Sequence, residues 1–129
     1  MAELTLLDSD VLIAHLRGYE PARAWLRLAR IGGPLEISVL TITEITGGMR
    51  SAERNLVWDL LAILNPQPVS EAVARRAGEL WRTYRRSHQG IGVVDYVIAA
   101  TAEVRGAKLA ILNVKHYPMF EGLQPAFAV

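Results

Sequence analysis

Cysteine is absent from the 129-residue chain, which excludes a disulfide framework, thiolate chemistry and cysteine-type zinc sites. Carboxylates and three histidines remain as candidate metal ligands, which directs attention to hard ions bound through oxygen. An excess of one charge is also lacking. The formal net charge is +1, so the molecule is no polycation that coats nucleic acid indiscriminately, and any nucleic-acid site must be local. Lysine is scarce, two against twelve arginines. That bias suits bidentate phosphate contacts, but a GC-rich genome produces it equally well. No apolar run approaches the roughly 20 residues that span a bilayer. The opening Met-Ala-Glu-Leu has neither the basic nor the apolar region of a signal peptide. A cytoplasmic protein with no membrane association is the expectation.

What is present points to a single domain over residues 1–129, a length at which one core buries most of the apolar surface. Hydrophobic residues make up 51% and the mean hydropathy is +0.20, so some apolar surface is expected to be kept for a partner. Leu4 to Leu7 reads as a buried strand and Val11 to Leu16 as the helix after it. Pro21 opens a helix carrying Trp25, Leu26 and Leu28, and Gly32-Gly33-Pro34 ends it before a strand over Leu35 to Ser38. Thr41 or Thr43 is expected to cap the next helix, which runs toward Gly47-Gly48. Glu53 to Leu64 forms another, and Asn65 to Val69 an extended, turn-rich link. Val73, Ala77, Leu80 and Tyr84 recur at helical spacing within a long amphipathic helix over Ala72 to His88. Val94 to Arg105 is a small-residue helix ended by Gly106, and Lys108 to Leu112 a last buried strand. Short apolar strands alternating with helices predict an α/β sandwich with a parallel sheet.

The chain has only four aspartates, Asp8, Asp10, Asp59 and Asp95. Asp8 and Asp10 directly follow the first strand, and the carboxyl ends of strands are where sites assemble in open α/β sheets. Either residue equally suits capping of the next helix. Glu44 stands between isoleucines, so part of it should sit near the apolar layer, where a carboxylate needs a metal ion or an arginine. A helix rotated to put it in water needs neither. Asp95 precedes Tyr96-Val97-Ile98-Ala99-Ala100, a helix whose N-terminus should point inward; it can cap that helix, ligate an ion, or do both. Asn113 follows the last strand and brings a polar oxygen to a second strand end, or simply forms a turn. No motif pairs two histidines, which gives a metal-free imidazole ribonuclease little support, and His88 and His116 read as surface residues. Ser9, Thr41 and Thr43 lack the Gly-x-Ser-x-Gly turn that would present a nucleophile.

Four segments in order resemble the PIN-domain family, and in particular the VapC-type toxins of VapBC toxin–antitoxin pairs. Leu6-Leu7-Asp8-Ser9-Asp10-Val11-Leu12-Ile13-Ala14 resembles the family's opening strand and aspartate. Ser38-Val39-Leu40-Thr41-Ile42-Thr43-Glu44-Ile45 is similar to the motif that supplies a glutamate. Val94 to Ala102 is similar to the third motif, with its aspartate, and Leu109 to Pro118 to the fourth. The resemblance implies a three-layer α/β/α sandwich with a short parallel sheet and a metal-dependent ribonuclease activity. It gives Asp8, Glu44 and Asp95 the role of ligands to Mg²⁺ or Mn²⁺, puts Asn113 at a fourth, often acidic, catalytic position, and makes Asp10 a possible addition. Its implied partners are an RNA substrate, a cognate VapB-type antitoxin, operator DNA reached only through that antitoxin, and a second copy in a homodimer. Two departures stand out: Ile111 where threonine is usual, and Asp10 where asparagine is common.

Arg75, Arg82 and Arg86 share one helical stripe that can steer an RNA backbone, or can be an ordinary solvated face. Leu12, Leu16, Trp25 and Leu28 can line a groove for an antitoxin helix, or pack in the core. Two alternatives remain at this level: a PIN fold that binds protein without catalysis, for which Asn113 and Ile111 speak, and a haloacid-dehalogenase-type phosphatase with Asp8 as nucleophile.

Overall fold

In the computed structural model, which describes residues 3–129, all four strands are parallel and lie in the order β3-β2-β1-β4. The strands are β1 (Thr5–Leu7), β2 (Leu35–Ser38), β3 (Asn65–Gln67) and β4 (Lys108–Ala110). The helices are α1 (Ser9–Leu16), α2 (Glu20–Gly32), α3 (Val39–Gly48), α4 (Arg54–Ala62), α5 (Glu71–Tyr84) and α6 (Val93–Arg105). Strand alternation builds the three layers. Leu6, Leu109 and Ile111 pack with α5 and α6 on one face, while Leu7, Leu35, Ile37 and Ala110 pack with α1 to α4 on the other. The expected three-layer α/β/α sandwich is therefore what forms. Among the described residues no helix is long and apolar enough to cross a membrane.

The chain steps outward from β1 to β2 to β3, then returns through α5 and α6 to lay β4 on the other side of β1. This reversal makes the carboxyl ends of β1 and β4 the switch point of the sheet, the place where open α/β sheets bind ligands.

Several local expectations are corrected. Residues 65–69 are not all link: Asn65–Gln67 pairs in parallel with β2. Pro66 is tolerated because β3 is an edge strand, where one face of the backbone needs no partner. Helix α3 begins straight after β2, capped by the Ser38 hydroxyl, which accepts from the Leu40 N–H at 3.1 Å. Thr41, expected as a cap, is instead fully buried in the first turn. The helix expected over Glu53 to Leu64 forms as α4, Arg54–Ala62, ending two residues early and preceded by a 3₁₀ turn, Ser51–Glu53. Helix α5 stops at Tyr84 rather than His88, because Ser87 and the left-handed Gly90 that follow are poor helix continuers.

Strand β2 also carries a charge that the sequence reading passed over. Glu36 is 3% exposed, and Arg105 at the end of α6 grips it with both Nε and Nη2, at 2.9 and 2.7 Å. Gln67 donates a third bond at 2.8 Å, so the carboxylate is fully partnered. Removing the guanidinium strands a buried charge, whereas the Arg75–Glu71 pair lies in solvent and contributes little. We expect Arg105→Ala to lower the melting temperature by several degrees more than Arg75→Ala; equal thermal melts would show that Glu36 needs no partner.

Candidate active site

Asp8 is placed by β1. Its N–H donates to the Ala110 carbonyl at 3.0 Å, fixing it where β1 and β4 end together. It occupies the position before α1 yet makes no side-chain capping hydrogen bond, so helix capping does not account for it. Only 8% of the residue is exposed. Burial pushes its carboxyl up to about 7, helped by the charges of Asp10, Asp95 and Glu44 and opposed by the Ser9 N–H.

Asp95 lies in the first turn of α6 and reaches back to accept from the Gly92 N–H at 3.1 Å. The same oxygen faces His116 Nδ1 at 3.1 Å, and the other accepts from the Tyr117 hydroxyl at 3.4 Å. Burial, followed by the fields of Asp8, Asp95 and Asp10, holds Tyr117 far above its ordinary pKa, so it remains a neutral donor. Asp95 thus serves the helix and the site at once.

Glu44 takes the solvated of its two expected positions. Ile45 is buried and Ile42 packs against the core, but Glu44 itself is exposed. Partial desolvation still raises its carboxyl, as do Asp95 and Asp10, while the Ser9 hydroxyl opposes the rise. Glu44 lines a groove of about 440 Å³ together with Ile13, Leu16, Arg17, Met49 and Arg50.

Asp10 behaves differently from the other three carboxylates. Its Oδ2 accepts from the N–H groups of Leu112 and Asn113, both at 3.0 Å, and so staples the chain leaving β4 beside α1. Asn113 is exposed, with its amide nitrogen 3.2 Å from His116 Nε2. His116, expected at the surface, therefore bridges Asn113 and Asp95. The signal was available in the sequence as a three-residue spacing in the turn after β4, which puts both side chains on one side. Ile111 is fully buried in the apolar cluster, so a hydroxyl at this position is not what the site lacks.

The donor set is entirely hard oxygen. After burial, Asp95 and Glu44 help to raise the Asp8 carboxyl and Asp95 helps to raise that of Glu44, which is the electrostatic condition a divalent cation relieves. Among the described residues no three carboxylate or imidazole groups are already drawn into a finished ion cage. The chemistry of the residues fits a hard cation, with the exposed Glu44 the side chain freest to move onto it.

A family model described as the PIN domain matches residues 5–115. The chain belongs to the PIN-domain family. It is 60% identical over 126 residues to Ribonuclease VapC10 of Mycobacterium tuberculosis, covering 98% of this chain and 95% of that one. Ribonuclease VapC19 of the same species is 41% identical, covering 96% and 100%. This PIN domain also shares its fold with a toxin–antitoxin complex from Klebsiella pneumoniae, with a TM-score of 0.79, 22% identity and coverage of 97% and 99%. VapBC2 from Rickettsia felis, bound to a promoter DNA fragment, gives 0.77 at 19% identity and coverage of 93% and 95%. Membership of the PIN family removes the phosphatase alternative. Of the groove residues expected in this PIN domain, Leu12 is core, Leu16 and Trp25 are partly buried, and only Leu28, 70% exposed, lies open.

Proposed function

We propose that this PIN domain is a metal-dependent endoribonuclease and the toxin of a toxin–antitoxin pair. The observation that carries the reading is a buried carboxylate, Asp8, at the end of β1 with no capping hydrogen bond, raised to about 7 by burial and by the charges of Asp10, Asp95 and Glu44. The names of its VapC relatives support RNA as substrate. Asp8, Asp95 and Glu44 would hold Mg²⁺ or Mn²⁺, which when bound supplies Lewis acidity toward phosphate oxygens and water. Around it the chain's own groups keep the site in shape. His116 and Tyr117 orient Asp95, Asp10 holds the end of β4, and Asn113 offers a neutral amide at the rim.

A VapB-type antitoxin is the proposed partner, and operator DNA is reached only through it. The complexes among its structural neighbours support that choice. The groove beside Glu44, with Ile13, Leu16 and Met49 for apolar contact and Arg17 and Arg50 at its edges, suits an amphipathic segment. Leu28 and Ile31, 70% and 83% exposed, leave apolar surface for a second copy in a homodimer.

The test is cleavage of a single-stranded RNA by the purified protein. Mg²⁺ or Mn²⁺ should support it, and EDTA should reduce it by at least about 100-fold, the scale on which even supporting groups around a metal matter. Undiminished cleavage in EDTA would sink the mechanism.

A further inference from the structure

We propose that the outer face of α5 is a stacking subsite for single-stranded RNA, with a base against Trp81 and the flanking phosphates on Arg82 and Arg85. The choice of RNA follows from the nuclease reading above, whereas the stacking face stands on the geometry of α5. An open groove of about 490 Å³ lies there, lined by Arg75, Gly78, Glu79, Trp81, Arg82 and Arg85. Arg75 and Arg82 are thus brought together as the sequence suggested, but Arg85 takes the place expected for Arg86.

Gly78 sits in the interior of the helix, where glycine is unfavourable. A Cβ there would meet no atom within 4 Å, so packing supplies no reason for the residue. Its effect is to flatten the surface between Arg75, Trp81 and Arg82, its neighbours on the same helical face. Trp81 is 44% exposed, and its ring lies 16° from parallel to Tyr96 at a centroid distance of 6.2 Å. Tyr96 is buried and directly follows Asp95, so the indole is a braced platform attached to the helix that carries a site carboxylate.

Charge completes the face. Arg75 is engaged by Glu71, and Arg76 by Glu79 and Glu103. Among the described residues Arg82 and Arg85 have no ion-pair partner, and Glu79, the one acid lining the groove, is already neutralised. An open indole beside unpaired guanidiniums over a flat gap matches a phosphodiester strand with a bare base; a duplex hides its base faces and fits less well.

The experiment measures binding of a fluorescein-labelled ten-nucleotide single-stranded RNA, with the same sequence as duplex for control, to protein carrying Asp95→Asn in Mg²⁺ buffer. Trp81→Ala should weaken single-strand binding about tenfold, or about 1.4 kcal/mol, with little effect on duplex binding. Trp81→Phe should restore most of it. The double change Arg82→Ala with Arg85→Ala should lower the slope of log Kd against log salt by about 1.4, from about 0.7 per phosphate. Gly78→Gln should strengthen the helix yet weaken binding, a combination that a structural role does not give. Unchanged affinity in Trp81→Ala overturns the subsite. So does loss of self-association in sedimentation with RNA binding intact, which would make the face a protein contact. Failure of the nuclease reading shows elsewhere. A wild-type protein that leaves RNA uncut with Mn²⁺, while Trp81→Ala still loses binding, keeps the subsite and removes the nuclease.

Discussion

Asp95→Asn should reduce RNA cleavage by at least about 100-fold while leaving the folded structure intact. The carboxylate has two separable duties. An asparagine oxygen still accepts from the Gly92 N–H, so the start of α6 remains closed. What disappears is the negative charge shared with Asp8 and Glu44, and with it the affinity for a hard cation. Because like charges are being removed from one another, the metal-free variant should melt no lower than the wild type. Far-ultraviolet circular dichroism and a gel-based cleavage assay together decide the matter. A variant that keeps more than half of the activity would mean that Asp95 belongs to the helix alone.

Asp8→Asn should abolish cleavage and, in EDTA at pH 8, make the protein more stable than the wild type. Burial and like charges raise the Asp8 carboxyl from the ordinary 3.8 to about 7, so the native state binds its proton more tightly than the unfolded chain does. The stabilisation is complete below about pH 4 and is lost as pH rises through 7. The full displacement corresponds to roughly 4 kcal/mol. Asparagine resembles the protonated acid and carries no such dependence. Urea unfolding should therefore give equal midpoints for the two proteins near pH 4 and a higher midpoint for Asp8→Asn at pH 8. Mg²⁺ should narrow the gap by stabilising the wild type alone. Coincident curves at pH 8 would show that Asp8 is not under electrostatic stress.

Local pattern carried the expectations that held. The apolar run ending in Asp8, the small-residue helix after Asp95 and the Ser38–Ile45 segment predict the parallel α/β fold that forms. What escaped depends on residues far apart in the chain. Glu36 and Arg105 are 69 positions apart, so nothing near Glu36 announces its partner. The grip of Asp10 on Leu112 and Asn113 spans more than 100 positions, and locally Asp10 looks like a helix cap or a ligand. Asn65–Gln67 was obscured by Pro66, which an edge strand accepts and a central one does not. The two readings of Glu44 stayed open because flanking isoleucines fix which way a helix faces only once the rest of the core is in place.

The strand order has a consequence for synthesis. β1, the first of these four strands to be synthesised, has β4, the last of the four, as one of its two neighbours. A ribosome-bound chain that has reached residue 90 holds Asp8 and Glu44, but has neither Asp95 nor the strand whose Ala110 carbonyl positions Asp8. The proposed site is assembled only when the segment from Asp95 through β4 docks beside β1, and domains fold in units as they emerge. Chains that stop before β4, whether paused or broken off, therefore cannot assemble the proposed site.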